Sequence, residues 1–221
     1  VFVGIGLALV FKSFQLPNLA ALALTAALYH CLNHAFFKSL LFLCTGSVLH
    51  ATGERNLGKL GGLIHRMPWV AWLALIGALA SAGLPPLNGF VSEWLLLQGF
   101  LFTAGLPHGY LNMLLPVVAG AVALIAALAG FAMVKFFGVV FLGQPREEKL
   151  AQAHDAGRLE RLGLLWLAAG CVLLGLLPNL VIALLDPITR MLVGSGLRYV
   201  SSDYGWWLLA PISEDRASYS P

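Results

Sequence analysis

Between Leu19 and Thr52 the chain runs through one long apolar stretch, LAALALTAALYHCLNHAFFKSLLFLCTGSVLHAT, with His30, His34 and Lys38 in its middle. At 1.5 Å and 100° per residue, these three positions climb about 12 Å of helix within about 80° of arc, which makes one polar stripe. In hydrocarbon a central lysine costs roughly 2.5 to 3.5 kcal/mol on insertion scales, so the stripe must face other protein or water. A helix of this length exceeds the hydrocarbon thickness and has to tilt or emerge. The stripe reads first as a proton or ion path.

The rest of the composition agrees with a membrane protein. Of 221 residues, 59% are hydrophobic and 10% charged, and the mean hydropathy is +0.85, well beyond an ordinary soluble domain. The net charge of +3 comes from basic residues gathered in two loops, which indicates membrane orientation and not nucleic-acid binding. Cys31, Cys44 and Cys171 stand singly in apolar segments, without CxxC spacing, so neither an iron-sulfur cluster nor a disulfide framework is expected. No cofactor motif, metal set or catalytic nucleophile is visible, and any redox centre is expected on another chain. The opening run VFVGIGLALVF reads as the tail of a span; it has neither the basic flank nor the cleavage site of a signal peptide. With the polar closing run SEDRASYSP, this leads to the expectation of a fragment of a larger subunit.

Pro17 suits the first turn of the long helix, and Gly53 its C-terminal stop. The next apolar segment, Trp69 to Phe102, is interrupted at GLPPLNGFVSEW. There Pro85 and Pro86 remove two backbone donors, while Gly83 and Gly89 permit bends, so the helix is expected to break. Broken membrane helices persist where the freed backbone groups meet protein or a watery cavity, and Glu93 follows the break at once. Apolar segments are then expected over Leu111–Leu142, containing Lys135, and over Leu162–Leu185, ended by Asp186 and Pro187. If the broken segment crosses once, Arg55, Lys59, Arg66, Arg146, Lys149, Arg158 and Arg161 fall on one side, opposite Lys12, Arg190 and Arg198. The positive-inside bias favours that arrangement and puts the loops at 53–67 and 143–161 in the cytoplasm. Trp206 and Trp207 would anchor the far interface, and residues 198–221 read as interfacial or as the start of a further segment.

Lys38 lies about 21 Å before the helix end, too far to reach that interface, so its proton affinity is set by burial and neighbouring charge. His30 and His34 suit a relay through trapped water; the alternatives are hydrogen-bonded packing, or half of a metal or haem site needing more ligands. Glu93 either faces Lys38 from another helix or binds the unwound backbone and holds the bend. Lys135, seven residues before Leu142, either belongs to the path or snorkels to headgroups. His50, His65, His108 and His154 read as surface residues, and QPREEKLAQAHDAGRLER as a solvated loop or short amphipathic piece.

The strings HCLNHAFFKSLLFLCTGSV, NLGKLGGL, GLPPLNGFVSEW and FAMVKFFGVVFLG resemble the second half of the antiporter-like, proton-conducting membrane subunits. Such subunits occur in respiratory complex I, multisubunit cation/proton antiporters and membrane-bound hydrogenases. The resemblance covers about residues 1–190, with 1–197 taken as the C-terminal half of such a transporter domain. The SEW glutamate and the closing segment are most similar to the hydrogenase-4 and formate hydrogenlyase type. The resemblance implies an all-α, polytopic transmembrane bundle with one broken helix. It also implies that Lys38 is the central proton-carrying lysine, that His30 and His34 connect it to water, and that Glu93 passes protons outward from a position where some members have Lys. Lys135 stands where relatives often carry Arg. The implied setting is a bacterial inner membrane, with other membrane subunits and a peripheral redox arm as partners. A cation/proton exchanger, a haem- or metal-binding subunit and a plain membrane anchor are the rival readings.

Overall fold

The computed structural model describes residues 1–101 and 109–197; His108, Arg198, Trp206 and Trp207 lie outside these. The described residues are all-helical: α1 (Phe2–Ser13), α2 (Pro17–Thr52), α3 (Pro68–Ser81), α4 (Asn88–Leu101), α5 (Gly109–Phe141), α6 (Arg158–Leu176) and α7 (Pro178–Val193), with short 3-10 turns between. Three of them, α2, α5 and α6, are long and apolar enough to cross a membrane.

Local sequence explains most boundaries. Helix α2 begins at Pro17, where a missing N–H removes only a donor that has no helical partner. It ends where Gly53 turns left-handed at φ +63° and donates to Leu49 O at 2.8 Å. Its 36 residues make a rod of about 54 Å, against about 30 Å of hydrocarbon. The broken segment is α3 and α4, with residues 82–87 between them. In the break Gly83 adopts φ +67° and the Pro85–Pro86 peptide is cis.

The last apolar stretch departs from the single span expected over Leu162–Leu185. Helix α6 begins earlier, at Arg158, and stops at Leu176; Pro178 then opens α7, which runs through Pro187 to Val193. At the first position of a helix a proline's missing N–H and fixed φ cost little, so α7 starts at Pro178, while Pro187 is accommodated inside it. The stop is Gly194, at φ +80° with its N–H on Arg190 O at 3.0 Å, and not Asp186 and Pro187. Within α7 the Asp186 carboxylate instead pairs with Arg190 one turn on.

The helices form two compact units. Of the described residues, the first comprises 1–31, 91–101, 109–119 and 176–197. There α1 packs closely on the first half of α2: a β-carbon on Gly4 would lie 3.1 Å from Ala27 Cβ and 3.2 Å from Ala23 O. Lys12 Nζ donates to Leu192 O at 2.8 Å, and Ser195 Oγ to Asn18 Oδ1 at 2.7 Å.

The second unit comprises Leu32–Phe90 and Gly120–Gly175. Phe37, Leu40, Cys44, Leu63, Met67, Val70, Phe141, Leu164 and Cys171 share its core. Its two loops are tied to each other. Lys149 bonds Glu54 at 2.7 Å, Lys59 lies 3.5 Å from Glu147, and Gly62 N donates to Leu142 O at 2.9 Å. A β-carbon on Gly62 would come within 2.9 Å of Pro145 N. The loops at 53–67 and 143–161 therefore lie against each other at one end of this unit. Asp155 also caps α3 from a distance, taking Trp69 N at 2.9 Å and Val70 N at 3.4 Å, while Arg161 sits 3.7 Å from its carboxylate and over the Trp69 ring.

Candidate functional site

The polar stripe rides on α2. His30, half-buried in the first unit, places Nδ1 3.0 Å from Ser92 Oγ on α4. His34 is exposed and sets its ring edge-on against Phe37, with centroids 5.4 Å apart. Lys38 is half-buried and lines a cavity of about 170 Å³ with Leu41, Phe42, Thr45, Met133 and Phe136, all in the second unit. Among the described residues Lys38 makes no ion pair. Glu93, half-buried on α4, belongs to the first unit and likewise makes no ion pair among the described residues. The expected partners Lys38 and Glu93 thus fall in different units, while His30 is brought to a hydroxyl, which suits proton relay because either group donates or accepts. Lys135 is exposed on α5. Among the described residues no group of three or more His, Cys, Asp or Glu is arranged to hold a metal ion.

The break beside this stripe is held by contacts that the sequence reading did not single out. Asn33, between the two histidines, donates from Nδ2 to Asn88 O at 2.7 Å, and Asn88 Nδ2 returns a bond to Asn33 O at 3.3 Å. Both side chains are fully buried. Because each amide meets a backbone carbonyl, which only accepts, the Nδ2 assignments are fixed by chemistry. The break is also pressed by α6, where a β-carbon on Gly175 would overlap Pro86 O and come within 2.8 Å of Asn88 N. Gly89 is required for a related reason, since a β-carbon there would overlap Ala80 O at the end of α3. Gly83, Pro85, Pro86 and Gly89 were legible as breakers; Asn33, Asn88 and Gly175 carry only a weak signal, a small or amide residue where an apolar one would serve.

Toward the loops, a second cavity of about 350 Å³ adjoins the first, sharing Phe42, Thr45 and Phe136, and reaches Glu54 and Arg55. The Lys149 ammonium and the Asn56 backbone N–H hold the Glu54 carboxyl well below its ordinary range, at about 2, and the same pairing raises Lys149. Elsewhere in this unit Ser47, buried on α2, bonds the Glu160 carboxylate, whose other oxygen takes Gly157 N at 3.3 Å. That makes Glu160 the reaching-back residue of a helix start. His50 and His154 are exposed and meet edge to face at 6.5 Å, and His65 is exposed, consistent with surface roles.

The family model described as "NADH:quinone oxidoreductase/Mrp antiporter, TM" matches residues 7–118. The chain is 39% identical to formate hydrogenlyase subunit 3 of Escherichia coli (strain K12) over 193 residues, covering 85% of this chain and 32% of that protein. It is 37% identical to hydrogenase-4 component B of the same organism, covering 80% of this chain and 26% of the relative. Among solved structures, the membrane-bound sulfane sulfur reductase, an archaeal respiratory membrane complex, superposes with TM-score 0.63 at 32% identity, over 75% of this chain and 26% of the other. The chain spans about a third or less of the length of these relatives.

Proposed function

Because the chain belongs to the NADH:quinone oxidoreductase/Mrp antiporter membrane family, we propose that it moves protons through a bilayer along His30, His34, Lys38 and Glu93, as a membrane subunit of a redox-driven complex. The observation that carries this reading is Lys38 itself, half-buried beside a cavity near the middle of a 36-residue apolar helix. A cation is retained at such a depth only where it has work or a partner. The hydroxyl–imidazole bond of Ser92 and His30 supports the relay, and the two tied basic loops give the unit one strongly charged side, taken as cytoplasmic in a bacterial inner membrane.

Driving is electrostatic. A charge change at a neighbouring site alters the proton affinity of Lys38, and with it the sharing of protons between Lys38 and Glu93 through histidines and water. Electron transfer belongs to partner subunits, in a peripheral arm joined to other membrane subunits; relatives are named as components of a formate hydrogenlyase and a hydrogenase. Lys135, exposed on α5, serves as an outer member of the path toward the loop side. A cation/proton exchanger is the second reading, favoured by the antiporters that share the family model.

The deciding experiment measures protons translocated per electron by the intact parent complex in sealed vesicles, with Lys38→Ala and Glu93→Gln, alongside assembly and uncoupled electron transfer. The proposal expects assembled complex, retained electron transfer and a several-fold lower proton yield. An unchanged yield in assembled complex makes the axis structural. Sodium-dependent transport in the same vesicles would favour the exchanger.

A further inference from the structure

On the loop side of the second unit two imidazoles meet that the proposed proton path does not use. His50 stands in the last turn of α2, and His154 between the 3-10 turn at Glu148–Gln152 and the start of α6. Both are exposed, and their rings meet edge to face, 73° apart in plane, with centroids separated by 6.5 Å. Neither ring makes a hydrogen bond or an ion pair among the described residues, so all four nitrogens stand open.

That separation is close to what one shared ion imposes. At metal–nitrogen distances of about 2.0–2.1 Å, two imidazoles on a tetrahedral zinc ion hold their centroids about 5 Å apart. The remaining difference, about 1.5 Å, is within reach of side-chain rotation at two exposed positions. Nearby charge favours a cation as well. The Glu160 carboxylate bonds Ser47, which stands three residues before His50 on α2 and is therefore its neighbour on the helix surface. Asp155, beside His154 in the chain, is by contrast engaged by Trp69 N, Val70 N and Arg161. Since no third His, Cys, Asp or Glu among the described residues is placed as a ligand, water fills the other positions, which suits an exchangeable ion and not a closed structural site. Imidazole pairs select late first-row divalent ions such as Zn2+, whereas Mg2+ and Ca2+ need oxygen ligands.

We propose that His50 and His154 together bind one exchangeable divalent transition-metal ion of the Zn2+ class. Bound there, the ion adds a tie between the 143–161 loop and the end of α2, beside the Lys149–Glu54 pair. The test titrates the intact parent complex, dialysed against a mild chelator, with radioactive Zn2+ in excess Mg2+. Because both rings are exposed, His50→Ala and His154→Ala are expected to assemble. Each should lose the same single equivalent of Zn2+ per chain, the double variant should lose no more, and His65→Ala, at another exposed histidine, should lose none. In the unaltered complex Zn2+ is expected to protect His50 and His154, and not His65, from carbethoxylation by diethyl pyrocarbonate, read from peptide masses. Equal zinc binding in wild type and both single variants overturns the proposal, as does a loss in only one of them. Carbethoxylation of the two rings that Zn2+ leaves unchanged also overturns it, and that measurement needs no variant, so it decides the matter where a variant fails to assemble.

Discussion

At the residue scale the reciprocal Asn33–Asn88 bonds are the least expected feature, since two buried amides are spent on joining α2 to the start of α4. Hydrogen bonds between membrane helices are worth about 0.6 kcal/mol on average and up to about 1.7, because the unfolded segments also find partners. Asn88→Ala is therefore expected to cost about 0.6 to 2 kcal/mol, read as a lower midpoint in detergent denaturation, and Asn88→Ser to recover part of it by keeping a donor. The Glu54–Lys149 pair gives a pH prediction. A carboxyl held at about 2 stabilises the loop fully above its unfolded value of 4.5 and loses that contribution as pH falls toward 2. Lys149, raised above 10.5, contributes below that value and loses it as pH rises past the folded one. Protease protection of the 53–67 loop should accordingly be flat between pH 5 and 10, fall in stronger acid, and be lower throughout in Lys149→Ala.

At the element scale, the break between α3 and α4 is a fixed joint. Pro85 and Pro86 explain why a helix stops there, but α6 explains why the stop takes this shape, because Gly175 lets its backbone rest on Pro86 and Asn88. Gly175→Leu should displace the break and sharply reduce recovered complex, whereas Gly163→Leu, where a β-carbon meets nothing within 4 Å, should leave recovery near wild type. Helix α3 has no side-chain cap of its own at Met67; the Asp155 carboxylate supplies it from another loop. Loss of a cap costs about 1 kcal/mol, and Asp155→Ala also removes the carboxylate 3.7 Å from Arg161, which keeps its bond to Ala156 O. Thermal unfolding of the complex should therefore begin earlier in Asp155→Ala than in Asp155→Asn, which keeps an acceptor.

At the scale of the whole molecule, two compact units share α2, whose residues through Cys31 belong to one and from Leu32 to the other. If the proposed proton path holds, the parent complex is expected to lose coupling, not electron transfer, when Lys38 or Glu93 is changed, and sealed-vesicle proton counting beside uncoupled turnover checks that. By itself the sequence determined the membrane class, the helical content, the boundaries of α2, the break at Gly83 to Gly89 and the polar stripe of His30, His34 and Lys38. These follow from hydropathy, helical periodicity and the backbone chemistry of proline and glycine, all of which act locally. It misread the stretch from Arg158 to Val193 because a proline's effect depends on its place in a helix: Pro178 opens α7, whereas Pro187 lies within it. Only the tertiary structure decided that Asn33 holds Asn88, that Gly175 bears on the break, that Asp155 caps α3 and that Lys38 opens onto a cavity. Each of these joins residues tens of positions apart, and the energy resides in the contact, which no local pattern encodes.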